Sequence, residues 1–210
     1  MVTREEIIKW LATVAAVMEE NQELLTQLDA AIGDAEHGIS MARGFKKVAE
    51  QLREAGDKDI SSILKTCGMT LVSTMGGAGG LLFGTLFMDG SRELAGKQEL
   101  GTADVAAFFR AGLAGVSKRG GAQPGDKTMI DALSPAVASL ERSVSAGLSP
   151  AEAIGEAAAA ARQGMTGTTD MVARKGRASY LGERSRGHQD AGATSLYFII
   201  KALADTVSGD

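Results

Sequence analysis

Ala193-Thr-Ser-Leu196-Tyr-Phe-Ile-Ile200-Lys-Ala-Leu-Ala-Asp-Thr-Val207 holds the one run in this 210-residue sequence for which two fold classes compete. By periodicity alone, Leu196-Tyr-Phe-Ile-Ile200 reads as a buried strand or as part of a buried helix. A strand must share its backbone hydrogen bonds with a neighbour, and no second strand candidate exists to pair with it. The stretch is therefore read as a helix over residues 193–207, and the chain as all-α. Three prolines, 4% aromatic residues and abundant alanine point the same way.

Helical periodicity recurs upstream. Thr3 to Glu6 spells a capping box and opens a helix with Ile7, Ile8, Leu11, Val14, Ala15 and Met18 on one face. A second helix runs from about residue 21 and stops at Gly33, with a left-handed stop expected at that glycine. A third carries Ile39, Met41, Phe45 and Val48 inward and ends by Gly56. Asp59 caps a fourth, with Ile60, Ile63, Leu64, Cys67, Leu71 and Val72 inward. Residues 81–94 form a fifth. Thr102 caps a sixth, lined by Val105, Phe108, Phe109, Leu113 and Val116, and a seventh covers residues 128–146. Ser149-Pro150-Ala151-Glu152 combines an N-cap, a proline at the first helical position and a capping-box acid. The pattern gives about eight or nine helices.

The remaining composition sets limits. A chain of this length buries roughly 70% of its unfolded surface as one domain, and no composition break or fixed-period repeat divides residues 1–210. A net charge of −4 argues against general nucleic-acid binding, which needs a strongly basic face. No apolar stretch approaches membrane-span length, and the N-terminus lacks the plan of a signal peptide. Cys67 is the only cysteine, which excludes an internal disulfide and fits a reducing cytoplasm.

Four polar or glycine-rich segments interrupt the helices. In the first, Asp29-Ala-Ala-Ile-Gly33-Asp34-Ala-Glu36-His37-Gly38, three carboxylates surround a glycine. On a continuous helix Asp29 and Asp34 would lie about 140° apart. A break at Gly33, followed by an extended turn, lets Asp29, Asp34 and Glu36 converge on a hard cation such as Mg²⁺. A plain solvated acidic turn is the competing reading. The second, Gly76-Gly-Ala78-Gly79-Gly80, offers backbone amides to an anion at a helix start, although glycines at such a junction also make ordinary turns. The third, Lys118-Arg-Gly120-Gly121-Ala-Gln-Pro124-Gly125-Asp126-Lys127-Thr128, nearly spells a P-loop. Asp126 stands where glycine must precede lysine and a helix rather than a strand comes before it, so Walker-type binding is rejected. The fourth, residues 174–191, carries five cations, Arg174, Lys175, Arg177, Arg184 and Arg186. In an acidic protein these suggest either a phosphate site or a solvated basic loop. A connection this long inside a domain is usually functional or disordered. The two histidines, His37 and His188, fall in the first and fourth segments, without zinc spacing. Acids for Mg²⁺ beside glycines and cations for phosphate are what phosphoryl transfer requires.

Asp29-x4-Asp34-x-Glu36-His37-Gly38, Gly68-Met-Thr with Gly76-Gly-Ala78, Gly125-Asp-Lys-Thr128, and Ala173-Arg-Lys-Gly-Arg-Ala-Ser-Tyr-Leu-Gly-Glu-Arg-Ser with Gly187-His-Gln-Asp190 together resemble the L subunit of dihydroxyacetone kinases. The resemblance spans nearly the whole chain. It implies an eight-helix antiparallel barrel holding ADP or ATP in the loops at one end, with two Mg²⁺ ions on the acidic turn. It further implies phosphorylation of dihydroxyacetone carried by a separate K subunit. In the phosphotransferase-system version, a phosphohistidine M subunit recharges bound ADP to ATP. By the same resemblance, Asp29, Asp34 and Glu36 are metal ligands. His37, Gly38, Ile39, Ser40, Ala78, Gly79, Gly120, Met129 and Asp190 are nucleotide contacts, and Arg177 is the catalytic cation. Two departures stand out: the third metal acid is normally Asp where this chain has Glu36, and the residue after Gly-His-Gln-Asp is normally Pro where it has Ala191. The alternatives are a kinase subunit for another small keto-sugar such as a tetrulose, and a non-enzymatic nucleotide sensor acting on a transcription regulator.

Overall fold

The computed structural model describes residues 1–209. The elements run β1 (Val2–Thr3), α1 (Arg4–Glu20), α2 (Gln22–Ile32), α3 (His37–Leu52), α4 (Ile60–Met75), α5 (Gly77–Ser91), β2 (Glu99–Leu100), α6 (Thr102–Gly120), α7 (Ile130–Ser145), α8 (Pro150–Gly167) and α9 (Ala191–Ser208). The ambiguous apolar run lies inside α9, with Leu196, Ile199 and Ile200 buried. Three helix starts follow the local rules that the sequence states. The Thr3 and Ser149 capping boxes form with Glu6 and Glu152, and Asp59 accepts from the Ser62 amide at 2.8 Å. No helix among the described residues is long and apolar enough to cross a membrane.

The helices close into a barrel. α1 packs on α3, and each helix from α3 onward packs on the next until α9 returns to α1; α2 prolongs α1 beyond a break at Asn21 and sits between α3 and α9. Helices successive in the chain are neighbours in the ring, which makes the ring antiparallel. Among the described residues the eight positions of the expected barrel are filled by nine α-helices, because the first is broken in two. Its interior is packed by aromatic rings from different staves. Trp10 meets Phe87 at 5.8 Å and Phe108 at 6.3 Å, and Phe87 meets Phe45 at 6.2 Å. Trp10 is absent from the apolar face assigned to α1 by periodicity, yet it is 1% exposed. Its indole N–H donates to the Ile199 carbonyl at 2.8 Å, which lets a polar atom enter the core.

Several local expectations give way to packing. Ile39 and Val72 are exposed rather than inward. Ile39 lies in the first turn of α3 at the barrel mouth. Val72 lies one residue past buried Leu71, and one residue is about 100° around a helix. Thr102 does not cap α6: its hydroxyl donates to the Leu148 carbonyl, while Asp104 caps the Gly101 amide at 2.9 Å. α5 begins at Gly77, so the glycine run is its first turn and not a loop before residue 81. Gly68 and Gly84 let α4 and α5 touch: a Cβ on either would stand 2.6–2.7 Å from the other's carbonyl oxygen. One short antiparallel pair, Val2 with Leu100 and Thr3 with Glu99, escapes periodicity because two residues carry no pattern.

The two ends of the barrel differ. At one, β1 pairs with β2, the Ile60 amide donates to the Lys97 carbonyl at 3.3 Å, and Thr102 reaches Leu148. These contacts tie the connections to one another. At the other end lie the connections after α2, α4, α6 and α8, which are the four polar segments.

Candidate functional site

Because alternate helices run in opposite directions, α3, α5, α7 and α9 all start at this second end. Their N-termini surround one cleft of about 590 Å³, lined by His37 and Ser40 of α3, Gly77 to Leu82 of α5, Ile130 of α7, and Ala191 and Gly192 of α9. Each helix start carries amides without intrahelical acceptors and the positive end of a dipole, so the convergence of four favours an anion. No side chain caps α5, which leaves its Gly77-Ala78-Gly79 turn open to the cleft. The volume falls within the range of small-molecule sites. The lining combines an apolar wall of Leu82, Phe83, Val116, Met129 and Ile130 with the charged Asp29, Asp34, Glu36 and Arg177.

The acidic turn is built around Asp29. Its Oδ2 accepts from the amides of Glu36 (3.0 Å) and His37 (3.2 Å), capping α3 from the end of α2. Gly33 is not left-handed (φ −137°, ψ −135°). Glycine is required there for space, since a Cβ would meet the Asp29 carboxylate at 2.1 Å. The left-handed residue is Ala35, at φ 63°, and Glu36 is helical rather than extended. This turn yields a stability prediction. Ala35→Gly removes a steric cost of about 1 kcal/mol, which should raise the melting temperature by roughly 2–4 °C. Thermal unfolding followed by circular dichroism checks it; an unchanged or lower midpoint would show that the backbone at residue 35 carries no such cost.

The three carboxylates share the cleft, but their side chains do not form a preformed cage: no cluster of three His, Cys, Asp or Glu suited to a metal occurs among the described residues. Asp29 is engaged by amides, and Asp34 accepts an ion pair from Arg177 (Nε–Oδ2, 2.6 Å). That pair joins the first polar segment to the fourth. The donor set nevertheless fits Mg²⁺, which takes one or two carboxylates and completes its shell from phosphate and water rather than from an all-protein cage.

His37 is held by the protein itself. Its Nε2 lies 2.8 Å from the Ser195 hydroxyl, and the ring is also hydrogen-bonded to the Ala191 backbone. Burial lowers its pKa, against the raising effect of Asp29 and Asp34, so the ring is neutral near pH 7. Asp190 caps α9 by accepting from the Ala193 amide at 2.7 Å. Burial pushes its carboxyl up to about 7; the Ala193 bond opposes that shift, and the nearby Asp131 and Asp29 charges add to it. Ser40, Ala78 and Gly79 line the cleft near helix starts, and Gly120 and Met129 line its apolar part, whereas Gly38, packed against α2, and exposed Ile39 lie outside the lining. His188 is exposed, and its carbonyl, not its ring, makes the inward contact.

Sequence reasoning missed the framework behind these walls. Asp131 is buried and accepts from the amides of Gly125 (2.5 Å) and Thr128 (2.7 Å), fixing the loop ahead of α7. Its signal was present, because Thr128-x-x-Asp131 has capping-box spacing. Buried Lys127, dismissed together with the P-loop, ties that loop to the segment between α8 and α9. No local signal announces it.

Residues 31–205 match the family described as the DAK2 domain. The chain is 48% identical over 202 residues to the ADP-binding subunit DhaL of the PEP-dependent dihydroxyacetone kinase of Escherichia coli K12, covering 96% of each. It is 34% identical over 204 residues to an L-erythrulose 1-kinase of Mycolicibacterium smegmatis, covering 95% of this chain and 35% of that protein. A crystal structure of the Citrobacter freundii dihydroxyacetone kinase in complex with AMP-PNP and Mg²⁺ superposes with a TM-score of 0.71 at 28% identity, covering 95% of this chain and 33% of that one.

Proposed function

We propose, because this chain belongs to the DAK2 domain family, that it is the ADP-binding subunit of a dihydroxyacetone kinase. In this reading the chain, residues 1–210, is one nucleotide-binding domain, and it acts in the cytoplasm. The subunit transfers the terminal phosphoryl group of its nucleotide to dihydroxyacetone carried by a separate K subunit. Bound ADP is then recharged by a phosphohistidine M subunit. The observation that carries the reading is the convergence of four helix N-termini, an acidic turn and Arg177 on one cleft with an apolar wall.

In this mechanism the apolar wall takes the base, and the phosphates point toward the first turns of α3 and α5. The open amides of that α5 turn cradle phosphate oxygens, and Gly77 and Gly79 allow the backbone close approach. Arg177 offers a planar guanidinium to the charge that grows on the phosphoryl group during transfer. Asp29, Asp34 and Glu36 would hold two Mg²⁺ ions, which when bound bridge phosphate oxygens and offset their charge. Glu36 is exposed at the start of α3, where its longer side chain has room to turn toward the cleft. Nothing in the cleft is committed to a sugar, consistent with an acceptor brought by the partner.

The test is to purify the chain alone and identify what it retains. Tightly held ADP that exchanges slowly supports the reading, whereas no affinity for any Mg-nucleotide sinks it. The similarity to an L-erythrulose 1-kinase favours a second version, an ATP-dependent subunit serving a tetrulose. Rapid exchange with free ATP, and transfer to erythrulose rather than dihydroxyacetone, would select that version. Glu36 gives a narrower prediction. Glu36→Gln should weaken Mg²⁺ binding to the nucleotide complex, because a neutral amide lacks the carboxylate's charge, and Glu36→Asp should retain it. Superimposable Mg²⁺ titrations for wild type and Glu36→Gln would place this residue outside the metal shell.

A further inference from the structure

Lys127 is a charged side chain enclosed by the fold. It is 1% exposed, and its backbone is left-handed at φ 61°, a conformation that costs a non-glycine residue energy and is retained only when its surroundings enforce it. Its Nζ donates to three carbonyls, those of Met171 (3.1 Å), Ser185 (2.7 Å) and His188 (2.5 Å). An ammonium has three protons to donate, and three acceptors are present. All three belong to the segment between α8 and α9, and they flank Arg177 on both sides in sequence.

The two sides of this contact differ in rigidity. The loop carrying Lys127 is fixed by Asp131 on the amides of Gly125 and Thr128, and by Asp126 on the amide of Gln123 at 2.9 Å. The segment it grips consists of 3-10 turns and irregular backbone. That segment closes on itself through Thr168, which accepts from the Asp190 amide at 3.0 Å, and Ser185, which accepts from the Ala173 amide at 2.8 Å. Those bonds are internal to it. Lys127, with the Arg174 amide donating to the Asp126 carbonyl at 3.1 Å, holds it to the loop ahead of α7.

We infer that Lys127 is a positioning residue: by pinning the segment between α8 and α9 to the loop ahead of α7, it sets where the Arg177 guanidinium stands over the cleft. The inference rests on the proposed role of Arg177 in transfer. Lysine suits the task because its compact ammonium meets three converging carbonyls, which the flat fork of arginine does not match. Lys127 borders the cleft, but the three protons of its ammonium are taken by the three carbonyls, and it acts through Arg177.

Trypsin supplies the first test, since Arg174, Lys175, Arg184 and Arg186 are cleavage points within the gripped segment. Lys127→Met should keep its helix content while the segment is cut at least roughly tenfold faster, because the three charge-assisted bonds that close it are lost. Unchanged cleavage would overturn the pin. The second test is a cycle of single-turnover rates. If Lys127 works through Arg177, Lys127→Met combined with Arg177→Lys is no slower than Arg177→Lys alone, whereas independent losses that multiply would overturn the inference. Should Lys127→Met fail to fold, hydrogen exchange on the wild type decides. The Arg174 amide, which donates across the contact to the Asp126 carbonyl, protected and opening together with those of Gly187 and Asp190 supports the pin, and its exchange at a free-loop rate overturns it. A wild type without transfer activity would defeat the function proposed above, while the trypsin contrast would still decide whether Lys127 pins the segment.

Discussion

Asp34→Ala is expected to abolish phosphoryl transfer and empty the nucleotide site while the barrel stays folded. In the proposed function this carboxylate holds Mg²⁺, and removing a metal that neutralises transferring phosphates forfeits several kcal/mol of barrier lowering, roughly a thousandfold or more in rate. The fold should survive because, among the described residues, the ion pair of Asp34 is to Arg177, a guanidinium side chain that is 70% exposed. Such a surface pair contributes about 0–1 kcal/mol. Asp29→Ala is a less clean experiment: Asp29 also caps the amides of Glu36 and His37. Losing a cap costs about 0.5–2 kcal/mol of stability on its own account. The measurement is single-turnover transfer to a K-bound acceptor beside nucleotide retention and thermal unfolding. Wild-type transfer by Asp34→Ala would remove the metal assignment.

Arg177→Lys should slow the same single-turnover step by about a hundredfold, the usual worth of about 3 kcal/mol for a contact aimed at developing transition-state charge. The side chain is exposed and anchored at its Nε by Asp34, which leaves the other guanidinium nitrogens free of that pair and facing the cleft. An ammonium at this position can still pair with Asp34 but cannot present a second prong to phosphate. Arg186 serves as the control. It pairs with Glu183 at 3.4 Å on the surface, outside the cleft lining, so Arg186→Ala should transfer at nearly the wild-type rate. Equal rates for wild type and Arg177→Lys would reduce the segment to a solvated basic loop.

The legible parts of the fold were those written within one helical turn. Thr3 with Glu6, Asp59 with Ser62, and Ser149 with Glu152 start their helices as sequence spacing predicts, because donor and acceptor lie three residues apart. What failed did so where a neighbouring helix decided. Trp10 has an N–H that sequence cannot satisfy, and the Ile199 carbonyl that satisfies it belongs to the last helix. Gly33 is the exception: Asp29, one turn earlier on the same helix, fills the space of its Cβ, so its glycine reflects space and not handedness. The candidate site followed the same division. Its residue types stood out as acids, glycines and cations interrupting apolar helices, whereas Lys127 looked like the remnant of a failed motif.

The sequence by itself determined an all-α chain, most of its helix starts, and four segments whose chemistry suits phosphate and Mg²⁺. These are local properties: helical period, caps and side-chain type need no knowledge of distant residues. That the four segments share one mouth was decided by the closed antiparallel ring, which returns every second connection to the same end and points four helix N-termini at one cleft. The meeting of Arg177 with Asp34, and the grip of Lys127 on the carbonyls of Met171, Ser185 and His188, were decided there as well. Such contacts depend on how whole helices pack, because residues far apart in the chain meet only where side-chain volumes let the staves close.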